Sequence, residues 1–207
     1  MPGMFLPLAM SEMPRPRTSP LSLPNILTYG RIAAVPVVVV CLFPPAEDWA
    51  RWIAFIAFAA AAITDYFDGY LARAWGQQSS LGRMLDPIAD KLLVSACLLM
   101  LAADHTISSW SLWAAIVILC REILVSGLRE FLAELRVSVP VTQLAKWKTT
   151  VQLLAVGFLL AGPALEGVPA GPMTIFGLVL LWLSAVVTLY TSYDYFRSGV
   201  RHLIEDQ

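Results

Sequence analysis

Six stretches of about twenty mostly apolar residues, joined by short polar loops, occupy most of the chain, and about twenty apolar residues are what a helix needs to cross a bilayer. The first runs over 23–43 and opens with Pro24 and Asn25, which suit a helix start. The second covers about Trp49 to Trp75, with an alanine-rich middle that lets neighbouring helices approach closely inside a membrane. The third begins near Leu81, carries Pro87 in its first turns, where a missing N–H costs little, and ends at Ala103. The fourth spans about Ser109 to Leu135, the fifth about Leu144 to Leu160 and the sixth about Met173 to Tyr195, while Pro44-Pro45, Asp104-His105 and 162–172 read as turns. The pattern predicts an all-α integral membrane protein, a six-transmembrane-helix bundle forming one domain over 22–200. Residues 1–21, rich in proline, are expected to be a flexible or interfacial segment without a cleavable leader, and 201–207 a short polar tail.

Composition strengthens this reading: 58% of residues are hydrophobic and only 14% charged, with a mean hydropathy of +0.69, which excludes an ordinary soluble domain. A net charge of −1 gives no reason to expect a nucleic-acid partner, but it conceals an asymmetry. Six spans put both termini on one side; Arg51 is then alone on the opposite face, and the other thirteen Lys and Arg lie on the side of the termini. The positive-inside rule makes that side cytoplasmic. In a bacterium this is the inner membrane. Cys41, Cys97 and Cys120 sit in apolar runs with no metal-ligand or CxxC spacing and are expected to pack rather than to react.

The chemistry is concentrated at Asp65–Lys91, DYFDGYLARAWGQQSSLGRMLDPIADK. Asp65 and Asp68 are three apart and Asp86 and Asp90 four apart, so each pair projects from one face of its own helix. Acidic residues at the edge of a span need a partner, such as Arg73, Arg83, Lys91 or a cation. Two facing carboxylate pairs suit hard divalent cations, and Mg²⁺ usually completes its shell with substrate phosphates, which points to phosphate chemistry. On the first helix, Asn25, Thr28 and Arg31 share one face and are candidates for substrate contact. A divalent-cation transporter could use the same carboxylates, but it would favour acidic residues along the depth of a span, whereas these gather at one edge.

The spacing of Asp65, Asp68-Gly69, Ala72-Arg73, then eight residues, Gly82, Asp86 and Asp90 resembles the signature of the CDP-alcohol phosphotransferase family at every fixed position. The resemblance implies a six-helix membrane enzyme with a cytoplasm-facing active site, usually a homodimer. It implies that Asp65 and Asp86 bridge two divalent cations, Mg²⁺ or Mn²⁺, with Asp68 completing one site and Asp90 the other, and that Asp90 is also the general base. Gly69, Ala72, Gly82, Arg73 and Ser79, together with Asn25 and Thr28, would then bind the nucleotide of CDP-diacylglycerol.

A basic set, Arg121, Arg129, Arg136, Lys146 and Lys148, falls at the cytoplasmic ends of the fourth and fifth helices and in the loop between them. Each alone fits a topological charge; together they read as a pocket for an acceptor phosphate. Residues 128–152 are similar to family members whose acceptor is sn-glycerol 3-phosphate, although Thr142-Gln143 stands where that pattern often has Ser-Lys. The implied reaction moves a phosphatidyl group to glycerol 3-phosphate within membrane lipid and releases CMP. The alternatives keep the mechanism and change the acceptor to phosphatidylglycerol, serine or an inositol phosphate.

Overall fold

The computed structural model describes residues 23–75, 80–134, 143–168 and 170–205. It is all-helical: α1 (Leu23–Cys41), α2 (Asp48–Trp75), α3 (Ser80–Ala103), α4 (Ser111–Glu134), α5 (Gln143–Glu166) and α6 (Pro172–Glu205). α1 packs on α2 and α3, α4 on α6 and α3, and α5 on α6, α2 and α3. The core follows from three- and four-residue spacing: Ala54, Phe58 and Ala61 of α2, Leu93, Cys97, Leu98 and Leu101 of α3, Ala114 and Ile118 of α4, Ala155 and Leu159 of α5, and Leu181 and Ala185 of α6. Cys97 is buried among them as a free thiol, and Cys41 and Cys120 are free as well.

The outside is as apolar as the inside. Along α6, Ile175, Phe176, Val179, Trp182, Leu183, Val186, Leu189, Tyr190 and Tyr193 form one continuous exposed face, a pattern suited to lipid. Among the described residues three segments are long and apolar enough to cross a membrane, Ser111–Ala133, Trp147–Glu166 and Pro172–Tyr193, and Asn25–Cys41 is a shorter apolar helix.

Two boundaries differ from expectation. α5 continues through Gly162 and Pro163 to Glu166, because one proline removes a single ladder bond, a loss that neighbouring helices can absorb. The turn falls at Gly167, whose φ of 64° and N–H to the Pro163 carbonyl (3.0 Å) end the helix in a left-handed cap. Glu166 then accepts the Met173 N–H at 2.7 Å and caps α6. α6 in turn runs to Glu205, so 201–205 is helix rather than tail. Val200, Leu203 and Ile204 keep a helical apolar spacing after the sequence has become too polar to span.

At the α2 N-terminus, Arg51 pairs with Asp104 at 2.5 Å and reaches Thr106 at 3.3 Å, while Thr106 donates to Asp104 at 2.8 Å. This ties α2 to the loop after α3 at the end of the bundle away from Asp65 and Asp86. Breaking a buried pair strands a charge. Asp104→Asn is therefore expected to lower unfolding stability by about 3–5 kcal/mol, read by thermal denaturation in detergent, while leaving the Michaelis constants of the folded fraction unchanged.

Candidate active site

Three helices build the first half of the site. Helical spacing places Asn25, Thr28 and Arg31 on one face of α1, and all three are buried. From that face Arg31 Nη1 reaches Asp65 Oδ1 on α2 at 2.8 Å and Asp86 Oδ1 on α3 at 3.0 Å. The arginine is 1% exposed, the two aspartates 38% and 42%. The guanidinium is thus buried beneath two half-exposed carboxylates. Asp90, one turn beyond Asp86, is partly buried and lies within electrostatic reach of Asp65, Asp86, Arg31 and Glu122.

Sequence spacing placed Arg31 on the substrate face and named Arg73, Arg83 and Lys91 as partners for the aspartates; the packing of α1 against α2 and α3 makes Arg31 the counter-ion of Asp65 and Asp86. Asp68, Gly69, Ala72 and Arg73 lie on the last turns of α2 by backbone, and Gly82 on the first turn of α3. The side chains of Asp68, Ala72, Arg73 and Arg83, and all of Ser79, are outside the described residues.

Among the described residues no three His, Cys, Asp or Glu side chains gather as a cation site. The donor set nevertheless suits a hard cation. Two carboxylate oxygens from different helices already converge on one positive charge, Arg31 Nη1, and Asp90 follows Asp86 by one turn of α3.

The second half lies on α4, α5 and α6. Arg121 donates from Nε to Ser192 Oγ at 2.7 Å and from Nη2 to Thr191 Oγ1 at 3.1 Å, and its Nη1 reaches Glu122 Oε1 at 3.4 Å. Lys148, only 4% exposed, donates to the same Glu122 oxygen. Arg129 is exposed and within electrostatic reach of Lys148. Of the expected basic set, the structure therefore brings Arg121 and Lys148 together at Glu122. Arg136 and the side chain of Lys146 are outside the described residues.

Four residues escaped the sequence reading. Glu122 carries no motif of its own, and it is the shared partner of Arg121 and Lys148. Thr188, Thr191 and Ser192 form a polar face on an otherwise apolar helix, with both Thr191 and Ser192 donating to the Thr188 carbonyl. That face was readable from its spacing.

The sequence model of the family described as CDP-alcohol phosphatidyltransferase matches residues 21–190. A CDP-diacylglycerol–glycerol-3-phosphate 3-phosphatidyltransferase of Cereibacter sphaeroides is 39% identical, covering 90% of this chain and 99% of the relative. Proteins of the same name from Rickettsia bellii and Salmonella choleraesuis are 44% and 38% identical, covering 86% and 89% of this chain and 94% and 98% of theirs. With a family match over most of its length and relatives aligned nearly end to end, the chain belongs to the CDP-alcohol phosphatidyltransferase family.

Proposed function

We propose that this protein transfers the phosphatidyl group of CDP-diacylglycerol to sn-glycerol 3-phosphate, giving phosphatidylglycerophosphate and CMP. One observation carries the reading: α2 and α3 bring two carboxylates together on Arg31, and α3 also packs against α4 and α5, which hold the buried Lys148 and its partner Glu122 with Arg121 beside them. A site of this kind offers one half for a pyrophosphate and its cations, and the other for a second phosphate. The names of the aligned relatives support the same donor and acceptor.

Asp65, Asp68, Asp86 and Asp90 would hold two divalent cations, Mg²⁺ or Mn²⁺, which when bound supply charge neutralisation to the pyrophosphate and the departing CMP. Asn25 and Thr28, fixed on the inner face of α1, hold the nucleotide with Arg73, Ser79 and the close approach allowed at Gly69, Ala72 and Gly82. Arg121, Arg129 and Lys148, with Arg136 and Lys146, hold the acceptor phosphate. Asp90 then accepts the proton of the attacking glycerol hydroxyl. The hydroxyl oxygen bonds to the phosphorus that carries diacylglycerol, and the bond from that phosphorus to the bridging oxygen breaks, with CMP leaving with the electron pair.

The same reading places all six helices across a bacterial inner membrane as a homodimer, with site and termini cytoplasmic. The distribution of Lys and Arg supports that orientation. Family membership removes the transporter alternative. A neutral acceptor such as serine would leave buried Lys148 and Arg121 without a ligand to match them.

Purified protein in detergent, given CDP-diacylglycerol, Mg²⁺ and a panel of acceptors, should release CMP with glycerol 3-phosphate and not with serine, an inositol phosphate or phosphatidylglycerol. Equal release with any of these would break the acceptor assignment. The cation role has its own test. Arg31→Gln removes the charge between Asp65 and Asp86, so it should lower the melting temperature without metal, and added Mg²⁺ should recover more of the loss than it adds to wild type. A Mg²⁺ response no larger than wild type would argue against a cation at those carboxylates.

A further inference from the structure

We infer that Glu122 is the resident anion of the acceptor pocket: its carboxylate occupies Lys148 and Arg121 until the acceptor's phosphate displaces it. The inference rests on the acceptor reading above and gives Glu122 a role which that reading does not assign.

Lys148 is almost fully buried, and a buried ammonium without an anion is costly. Glu122 supplies that anion from the neighbouring helix, through the same oxygen that Arg121 Nη1 approaches at 3.4 Å. Arg121 is anchored independently: Ser192 and Thr191 of α6 hold its Nε and Nη2 at 2.7 and 3.1 Å, so its position does not depend on Glu122. Arg129, exposed at the rim, lies within electrostatic reach of Lys148.

A carboxylate carries one charge on two oxygens, whereas a phosphate monoester carries up to two on three. With more charge and a third oxygen, the phosphate engages an ammonium and guanidinium groups more strongly than the carboxylate does. Glu122 therefore keeps Lys148 charge-balanced in the empty enzyme, and it sets a threshold that a neutral alcohol does not cross.

The test uses full-length protein in detergent, with inorganic phosphate and glycerol 3-phosphate as probes. Glu122→Gln leaves Lys148 unbalanced, so inorganic phosphate should raise the melting temperature of the variant well beyond its small effect on wild type. The KM for glycerol 3-phosphate should fall roughly tenfold, because no internal anion competes for the lysine. Glu122→Gln combined with Lys148→Gln should abolish the phosphate response. If Glu122→Gln cannot be recovered in phosphate-free buffer, recovery in phosphate supports the inference, and failure in both buffers overturns it. A phosphate response equal to wild type, or a raised KM, overturns it as well. The acceptor reading fails separately: it falls if Lys148→Ala leaves the KM for glycerol 3-phosphate unchanged, whatever Glu122→Gln does.

Discussion

Asp65→Asn, Asp86→Asn and Asp90→Asn are each expected to reduce turnover by at least about 100-fold, the scale on which metal ligation and general base catalysis contribute. The three should not behave alike in stability. Asp65 and Asp86 share Arg31, so replacing either leaves the buried guanidinium its other carboxylate, and the bundle should stay folded. Asp90 has no ion pair within 4.0 Å among the described residues, so Asp90→Asn relieves the burial of a charge and its repulsion from Asp65, which together outweigh the attraction of Arg31, and should melt no lower than wild type. CMP release corrected for folded protein, with a melting curve for each variant, separates lost chemistry from lost fold. Near-wild-type turnover in any of the three would contradict the proposed roles of the aspartates.

The second large effect separates the two substrates. Lys148→Ala or Arg129→Ala should raise the KM for glycerol 3-phosphate roughly tenfold to hundredfold, the worth of one charge-assisted contact, with far less effect on the KM for CDP-diacylglycerol. Arg73→Ala should show the reverse if, as proposed, it holds the nucleotide. Steady-state kinetics with each substrate varied in turn reads both constants. A charge that serves only topology would change insertion or yield and leave both constants near wild type; equal shifts in the two would dissolve the division of the site into halves.

The parts of this site that were legible in the sequence are local. The aspartate pairs declare themselves by three- and four-residue spacing, and the helices by apolar runs of membrane length. Asn25, Thr28 and Arg31 could be put on one face by the same rule, and burial of all three agrees. What that rule could not supply is the partner across a helix interface. Arg31 meets Asp86 across 55 positions and Lys148 meets Glu122 across 26, and no periodicity within one helix encodes either. Arg51 illustrates the same limit. Read alone it was the exception to a charge asymmetry, whereas the fold gives it Asp104 and Thr106 as partners. The ends of α5 and α6 were misjudged for another reason: Pro163 and the polar residues after Tyr195 are signals for the end of a span, and a helix can outlast its span.

Mass balance tests the central claim most directly. Purified full-length protein with Mg²⁺, CDP-diacylglycerol and isotopically labelled glycerol 3-phosphate should yield CMP and labelled phosphatidylglycerophosphate in equal amounts, and neither should accumulate when the acceptor is left out. CMP released without the acceptor, or without the label entering lipid, would contradict transfer to glycerol 3-phosphate.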